Sequence, residues 1–358
     1  MGLPEIQISF YKKAQNIINQ SVRGMVALLV DDATKDQVIT PYRSIDDVIM
    51  EDWTEQTSKV LKLVFKGGPQ KVLVIRAVKK ESGIDLAASL ALIKAINFDY
   101  LTYPGFKGED KEVIKKWLQE MRVKGKKAKA VLPECDGDYE AIINYATPSV
   151  TAKWPETEEL VTYTAAEYCA RIAGALAGLP LTQSATNYEL KELVDAELAE
   201  DPDAEIDAGK LIVVFDGEKY KLGRGVTSLV TLEKTTPKGL QKIKIVEGQD
   251  ILKHDIYTTF DDEYSGKLVN DYDNKQLFIG AVLAYYKELY GTILDGNSKN
   301  EVEIDIEANR KYLKEQGKDV DDLSEQELKE ANTGSYLYLA GGVTFLDAME
   351  DLNMNIAM

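Results

Sequence analysis

Met25-Val26-Ala27-Leu28-Leu29-Val30 is short, apolar and unbroken, and Val72-Leu73-Val74-Ile75 repeats the pattern. A run of that length without polar alternation is what a strand covered on both faces requires. Between the two lies helical spacing, Ile45, Val48 and Ile49, then Val60, Leu61, Val64 and Phe65, stopped by Gly67-Gly68-Pro69. Outward from there the alternation continues. Leu86 to Ile96 reads as a helix, Asp99 to Tyr103 as a strand ended by Pro104-Gly105, and Asp110 to Met121 as an amphipathic helix. Ala128 to Leu132 is a strand ended by Pro133, and Thr164 to Leu179 a helix stopped by Pro180. Strand and helix in turn predict an α/β fold with a parallel sheet over roughly residues 21–185.

Beyond that point the pattern changes. Leu211 to Phe215 and Glu218 to Leu222 flank Asp216-Gly217, a two-residue hairpin signal. Thr227 to Leu232 is a further β-type run, Ile243 to Val246 fits either a strand or a helix start, and acidic residues 195–209 read as an exposed loop. Helices follow at Ile251 to Phe260, Gln276 to Tyr290 and Ile306 to Gln316, then an acidic, surface-type stretch from Asp319 to Glu330. The finish is β-like: Tyr336 to Ala340, Gly341-Gly342, and Val343 to Leu346.

Both tips alternate with a period of two. Ile6, Ile8 and Phe10 stand between Gln7 and Ser9; Leu352, Met354, Ile356 and Met358 stand between Asn353, Asn355 and Ala357. Each tip therefore carries one apolar row, as a strand does when it joins a sheet edge in its own chain or in a neighbour.

The net charge of −17 over 358 residues disfavours phosphate backbones, so nucleic acid is not an expected partner. No secretory signal and no membrane-length apolar window are read, and Cys135 and Cys169 fit buried free thiols of a reducing cytoplasm.

The search for chemistry returns no catalytic, cofactor-binding or metal site. His254 is the sole histidine, lies between Lys253 and Asp255 on an apparent helix, and reads as a surface or helix-face residue without a nucleophile elbow anywhere. Gly67-Gly68-Pro69-Gln70-Lys71 lacks P-loop spacing, and Asp271-Tyr272-Asp273 opens like a calcium loop but has Gln276 where glycine is needed. Gly174-Ala175-Leu176-Ala177-Gly178 suggests a helix packed closely on the sheet. Lys124, Lys126, Lys127 and Lys129 read as a solvated loop or, more sharply, as a contact for a neighbour's acidic surface. Nineteen tyrosines fit a protein rich in interfaces.

Several segments, in order from end to end, resemble the tail sheath proteins of contractile phage tails and phage-tail-like bacteriocins, above all the short sheaths of Gram-positive defective prophages. They are Gly2-Leu3-Pro4, Ser21-Val22-Arg23-Gly24, Tyr163 to Tyr168 running on to Gly178-Leu179-Pro180, Arg224 to Leu229, Lys244 to Gly248, Asn332 to Ser335 and Leu346 to Leu352. The resemblance implies an N-terminal arm (1–20), a subtilisin-like α/β middle domain with a β-rich end (21–240), an α+β C-terminal sheath domain (241–342) and a C-terminal arm (343–358). It implies a minimal sheath without the β-sandwich insertion of longer ones, and no enzyme activity. It also implies that Leu3, Ile6, Ile8, Phe10, Val343, Phe345, Leu352, Met354, Ile356 and Met358 pair with sheets of neighbouring subunits. Implied partners are further copies in stacked six-membered rings, an inner tube protein, and baseplate and terminator proteins; the segment from Glu307 to Glu330 would face the tube. Assembly would occur in the bacterial cytoplasm, with release as part of an extracellular particle, and contraction of a metastable sheath would drive the tube through a cell envelope. The rival readings are an α/β hydrolase-like enzyme using carboxylates and another self-assembling shell protein.

Overall fold

A computed structural model describes residues 18, 20–81, 83–154 and 159–357. Leu3, Ile6, Ile8, Phe10 and Met358 lie outside these described residues. The chain divides into two compact units: Ser21–His254 together with the segment from Phe345 onward, and a second built on Asp255–Thr344.

The first unit is built on a seven-stranded sheet. Its elements are β1 (Met25–Val30), β2 (Ile39–Tyr42), α1 (Glu55–Lys66), β3 (Lys71–Arg76), a short hairpin of β4 (Lys79–Lys80) and β5 (Gly83–Ile84), α2 (Leu86–Leu92), β6 (Tyr100–Thr102), α3 (Lys111–Val123), β7 (Lys129–Pro133) and β8 (Ile142–Tyr145). Then come β9 (Ser149–Lys153), β10 (Leu160–Thr164), α4 (Ala165–Gly178), β11 (Leu193–Ala196), α5 (Pro202–Asp207), β12 (Lys210–Leu211), β13 (Val213–Phe215), β14 (Tyr220–Leu222) and α6 (Ile243–Thr259). The strand order is β12-β8-β7-β6-β1-β3-β2. All neighbours run parallel except β2, which lies antiparallel along β3.

The central strand is buried on both faces, as its composition demands. Val26, Leu28 and Val30 pack in one core with Val60, Leu61 and Val64 of α1 and Ile172 and Leu176 of α4. Ala27 and Leu29 point into the opposite core with Leu86 and Leu90 of α2 and Ile114, Leu118 and Met121 of α3. A one-residue slip would exchange the two sets, so the register is firmly specified.

The glycines of α4 face α1 rather than the sheet. A Cβ on Gly174 would stand 2.1 Å from the Val64 carbonyl oxygen, and one on Gly67 would stand 2.2 Å from the Ala175 nitrogen. Gly67-Gly68 thus ends α1 and also admits the backbone of α4. Gly174→Ala is expected to lower the unfolding free energy by about 2 kcal/mol, overpacking outweighing the gain in helix propensity. Denaturant titration of the full chain measures this; an unchanged midpoint would mean that the crossing relaxes freely.

Several local expectations need correction. Ile45–Asp47 and Met50–Asp52 are single 3₁₀ turns, and the helix proper starts only after Thr54, whose hydroxyl accepts from the Thr57 amide. The hairpin pairs Phe215 with Tyr220, so its loop is Asp216–Lys219 and not a two-residue turn. The Asp216 carboxylate accepts from the amides of Glu218 and Lys219, both at 3.0 Å, and closes the longer loop itself. Thr227–Leu232 forms no strand; the amides of Val230 and Thr231 donate to Asp138 (2.8 and 2.9 Å), and the Ser228 amide donates to the Ile142 carbonyl. Residues 195–209 are not simply a loop, because β11 closes a three-stranded antiparallel sheet with β9 and β10, and Asp201 caps α5. For Ile243–Val246, where strand and helix start were both open, the helix start is found, since Ile243, Val246, Glu247, Asp250 and His254 fall on one buried face.

The second unit holds α7 (Tyr272–Glu288), β15 (Glu301–Ile304), α8 (Ile306–Glu315), α9 (Glu325–Glu330) and β16 (Leu339–Gly342). Asp271, the opening of the apparent calcium loop, is the N-cap of α7 and accepts from the Asn274 amide at 2.9 Å. The stretch Asp319–Glu330 is not all surface: it contains α9 and buries Val320 and Leu328 against Leu313. β15 and β16 pair antiparallel, with Val302 opposite Gly341, where a Cβ would meet the Glu301 carbonyl oxygen at 2.1 Å. The closing β pattern is shorter than expected, because Tyr336–Tyr338 and Val343–Leu346 lie outside β16.

Candidate assembly surfaces and buried charges

In a doubly wound sheet, a ligand site belongs beyond the C-terminal strand ends where the order reverses, here beside β1. The groups at that place are tied to the fold. Asp32 accepts from the Thr34 amide and hydroxyl (3.0 and 2.6 Å) and from the Thr54 amide (2.8 Å). Burial alone would raise its carboxyl, but these donors hold it well below the usual carboxylate range. Arg76 stacks over Trp53, its guanidinium 3.7 Å from the ring centroid, and donates to the Gln37 and Asp52 carbonyls. Tyr103 is buried under Gly105, where a Cβ would stand 2.7 Å from the ring, and burial pushes its phenol up to about 12. Among the described residues, no three His, Cys, Asp or Glu side chains come together as a metal-binding group.

His254 is buried rather than on the surface, its Nδ1 2.9 Å from the Gly125 carbonyl oxygen. Cys135 and Cys169 are free and buried; burial raises the Cys135 thiol to about 12.

The basic run is not a solvated loop, nor is all of it open to a neighbour. Lys124 is exposed, but Lys127 and Lys129 are only 4% and 1% exposed. Lys127 pairs with Asp99 at 3.0 Å and donates to the Val22 carbonyl at 2.7 Å. Lys129 reaches Asp250 at 2.8 Å and Glu247 at 3.0 Å. Arg122 lies 2.5 Å from Asp250, Arg23 lies 2.5 Å from Glu247, and the Tyr100 hydroxyl donates to Glu247. Burial would raise the Glu247 carboxyl, but Lys129, Arg23 and the Tyr100 hydroxyl bring it down to about 2. The network fastens α6 to β6, to β7 and to Arg23. Arg23 also donates to the Leu179 carbonyl at 3.1 Å.

The C-terminal segment divides in two. Glu350 accepts from Thr186 Oγ1 at 2.6 Å, Ser184 Oγ at 2.9 Å and Lys242 Nζ at 2.9 Å. Lys242 also pairs with Asp347, and Arg224 with Asp351 at 2.5 Å. Past Asp351, Leu352, Met354 and Ile356 are 85%, 65% and 75% exposed and lie in no strand, whereas Val343 and Phe345 are half-buried. In the second unit, among the described residues, neither β15 nor β16 has a second strand partner. The sequence reading missed Ser184, Thr186 and Lys242; Arg224 and Glu350, inside quoted segments, were the available signal.

Among the described residues, an exposed apolar C-terminal row and a two-stranded sheet without further strand partners are features suited to pairing with another segment. The model of the phage tail sheath protein central domain matches residues 79–228. The tail sheath protein of Clostridium phage phiCD119 is 34% identical over 370 residues, covering 100% of this chain and 99% of that protein. The chain belongs to the phage tail sheath protein family. Its fold is similar to the contracted helical sheath of the anti-feeding prophage (TM-score 0.68, 14% identity, 100% of this chain and 99% of that one). It is also similar to the sheath tail protein from Listeria innocua (TM-score 0.65, 17% identity, 81% and 90%).

Proposed function

We propose that this chain is the structural subunit of a contractile tail sheath, polymerising around an inner tube in a metastable extended state and contracting to drive the tube through a cell envelope. The full-length likeness to a phage tail sheath protein carries the reading. The mechanism needs no cofactor, since the energy is stored at assembly. In this reading residues 1–20 are the N-terminal arm, 21–240 the subtilisin-like domain, 241–342 the C-terminal sheath domain and 343–358 the C-terminal arm. The pairing of Glu247 and Asp250 in α6 with Lys129 of β7 supports counting the start of α6 with the α/β domain.

The arms would lie along the open edges of β15 and β16 in neighbouring subunits, with Leu3, Ile6, Ile8 and Phe10 from one end and the row from Leu352 to Met358 from the other. Each main-chain bond contributes about 0.5–1.5 kcal/mol net, so five bonds with a few buried apolar side chains hold several kcal/mol per junction. Such ladders tolerate hinging while the faces of the units repack. The other partners are the inner tube, which the segment from Glu307 to Glu330 would face, the baseplate and the terminator. Assembly would take place in the cytoplasm, followed by release in an extracellular particle.

Deleting residues 1–10 tests the strand-donation part. The truncated chain is expected to give a soluble folded subunit by circular dichroism and sedimentation, and no sheaths by electron microscopy. Normal sheaths from the truncated chain would refute donation by that arm.

A further inference from the structure

We propose that Ser184, Thr186, Arg224 and Lys242 form a receptor for the acidic segment Asp347–Asp351, a clasp that fastens the root of the C-terminal arm to the α/β unit of its own chain. Only the residues from Leu352 onward are then free to reach a neighbour. The role of the free part rests on the sheath reading; the clasp itself is a property of the single subunit.

The burial pattern of this segment is the reverse of an ordinary docked peptide. Met349 and Leu352 project into solvent, while the Glu350 side chain is 4% exposed. Charge, not apolar surface, holds the segment. The receptor is also preorganised. Thr186 Oγ1 accepts from the Gly225 amide at 2.9 Å, and Ser184 Oγ accepts from the Thr186 amide at 3.1 Å. The Thr186 hydroxyl gives its one proton to Glu350, and the Ser184 hydroxyl stands within reach of both Glu350 at 2.9 Å and Thr186 Oγ1 at 3.1 Å. Lys242 bridges Glu350 and Asp347, while Arg224 bonds Asp351 and lies 3.8 Å from Glu350, so two cations serve three carboxylates. Charge-assisted bonds of this kind are stronger than neutral ones and fix geometry.

The clasp sets the reach of the arm. Seven residues beyond Asp351 span at most about 23 Å when extended, whereas fourteen from Phe345 would span about 46 Å. A fixed root also makes the arm move with the α/β unit.

The test is limited chymotrypsin digestion of the isolated full-length subunit, scoring cleavage after Phe345 and Leu346 by mass spectrometry. Cleavage of a transiently opened segment tracks its open population. Glu350→Gln and Lys242→Glu are each expected to speed cleavage about tenfold, with near-ultraviolet circular dichroism unchanged. Lys242→Glu combined with Glu350→Lys is expected to restore most of the protection. Cleavage rates within twofold of the parent in both single variants would overturn the clasp. So would restored assembly on mixing Lys242→Glu subunits with Glu350→Lys subunits that fail alone, because the receptor would then be filled from a neighbour. Deleting residues 352–358 should leave the protection intact, which separates failure of the clasp from failure of the sheath reading.

Discussion

Lys129→Met is expected to destabilise the α/β unit by about 3–5 kcal/mol at neutral pH, the usual effect of removing one partner from a buried charge group. The ammonium is 1% exposed and serves Glu247 and Asp250 at once. Without it, Arg23 and Arg122 remain, but each carboxylate loses its most enclosed partner. The pH dependence follows from the depressed Glu247 carboxyl. A carboxylate of unfolded pKa near 4.3 that lies at about 2 in the folded chain stabilises it fully above the unfolded value. That contribution, on the order of 3 kcal/mol, is lost as pH falls through the folded value. The variant should therefore show its largest deficit at neutral pH, a deficit that shrinks below about pH 4 and vanishes only near about pH 2. Urea titrations at pH 7 and near about pH 2 measure both statements. A deficit below about 1 kcal/mol at neutral pH would show that the remaining arginines suffice.

This network also marks the limit of local sequence reading. Lys127 and Lys129 looked solvated because they close a run of four lysines, Lys124, Lys126, Lys127 and Lys129, with no acid beside them in sequence. Their acids, Asp99, Glu247 and Asp250, come from distant segments, and only the fold brings them together. The same holds for Glu350, whose receptor is assembled from residues 184, 186, 224 and 242. By contrast, β1 and β3 were legible because burial on both faces leaves an unbroken apolar run, and α3 because one helical face is apolar throughout. The half-exposed strands β9, β10 and β11 carry threonine and charge on their open faces and gave no such signal. The start of α6 was left open between strand and helix because Ile243, Ile245 and Val246 are β-branched; tertiary burial decides for the helix. The family resemblance was visible where the two polar assemblies draw their residues, at Arg23, Leu179, Arg224, Glu247 and Glu350.

The double substitution Met354→Asp with Ile356→Asp is expected to abolish sheath formation while leaving the subunit as stable as the parent. Both side chains are largely exposed in the single chain, so replacing them removes no internal contact, and surface changes of this kind stay within about 0.5 kcal/mol. In the assembled array the same side chains would be covered by a neighbour's sheet. Burying each would contribute about 1.5–3 kcal/mol, so the pair accounts for about 3–6 kcal/mol at every junction. The aspartates would also place two further carboxylates in an acidic subunit, against edge strand β15 with Glu301 and Glu303. Because each junction recurs along the array, a loss of that size per subunit leaves no stable polymer. Electron microscopy beside urea titration reads the two halves of the prediction separately. Normal sheaths would mean that the C-terminal row is not the donated strand. A subunit that unfolds would mean that the row is covered within its own chain, and the free arm would then have to be sought at the other end.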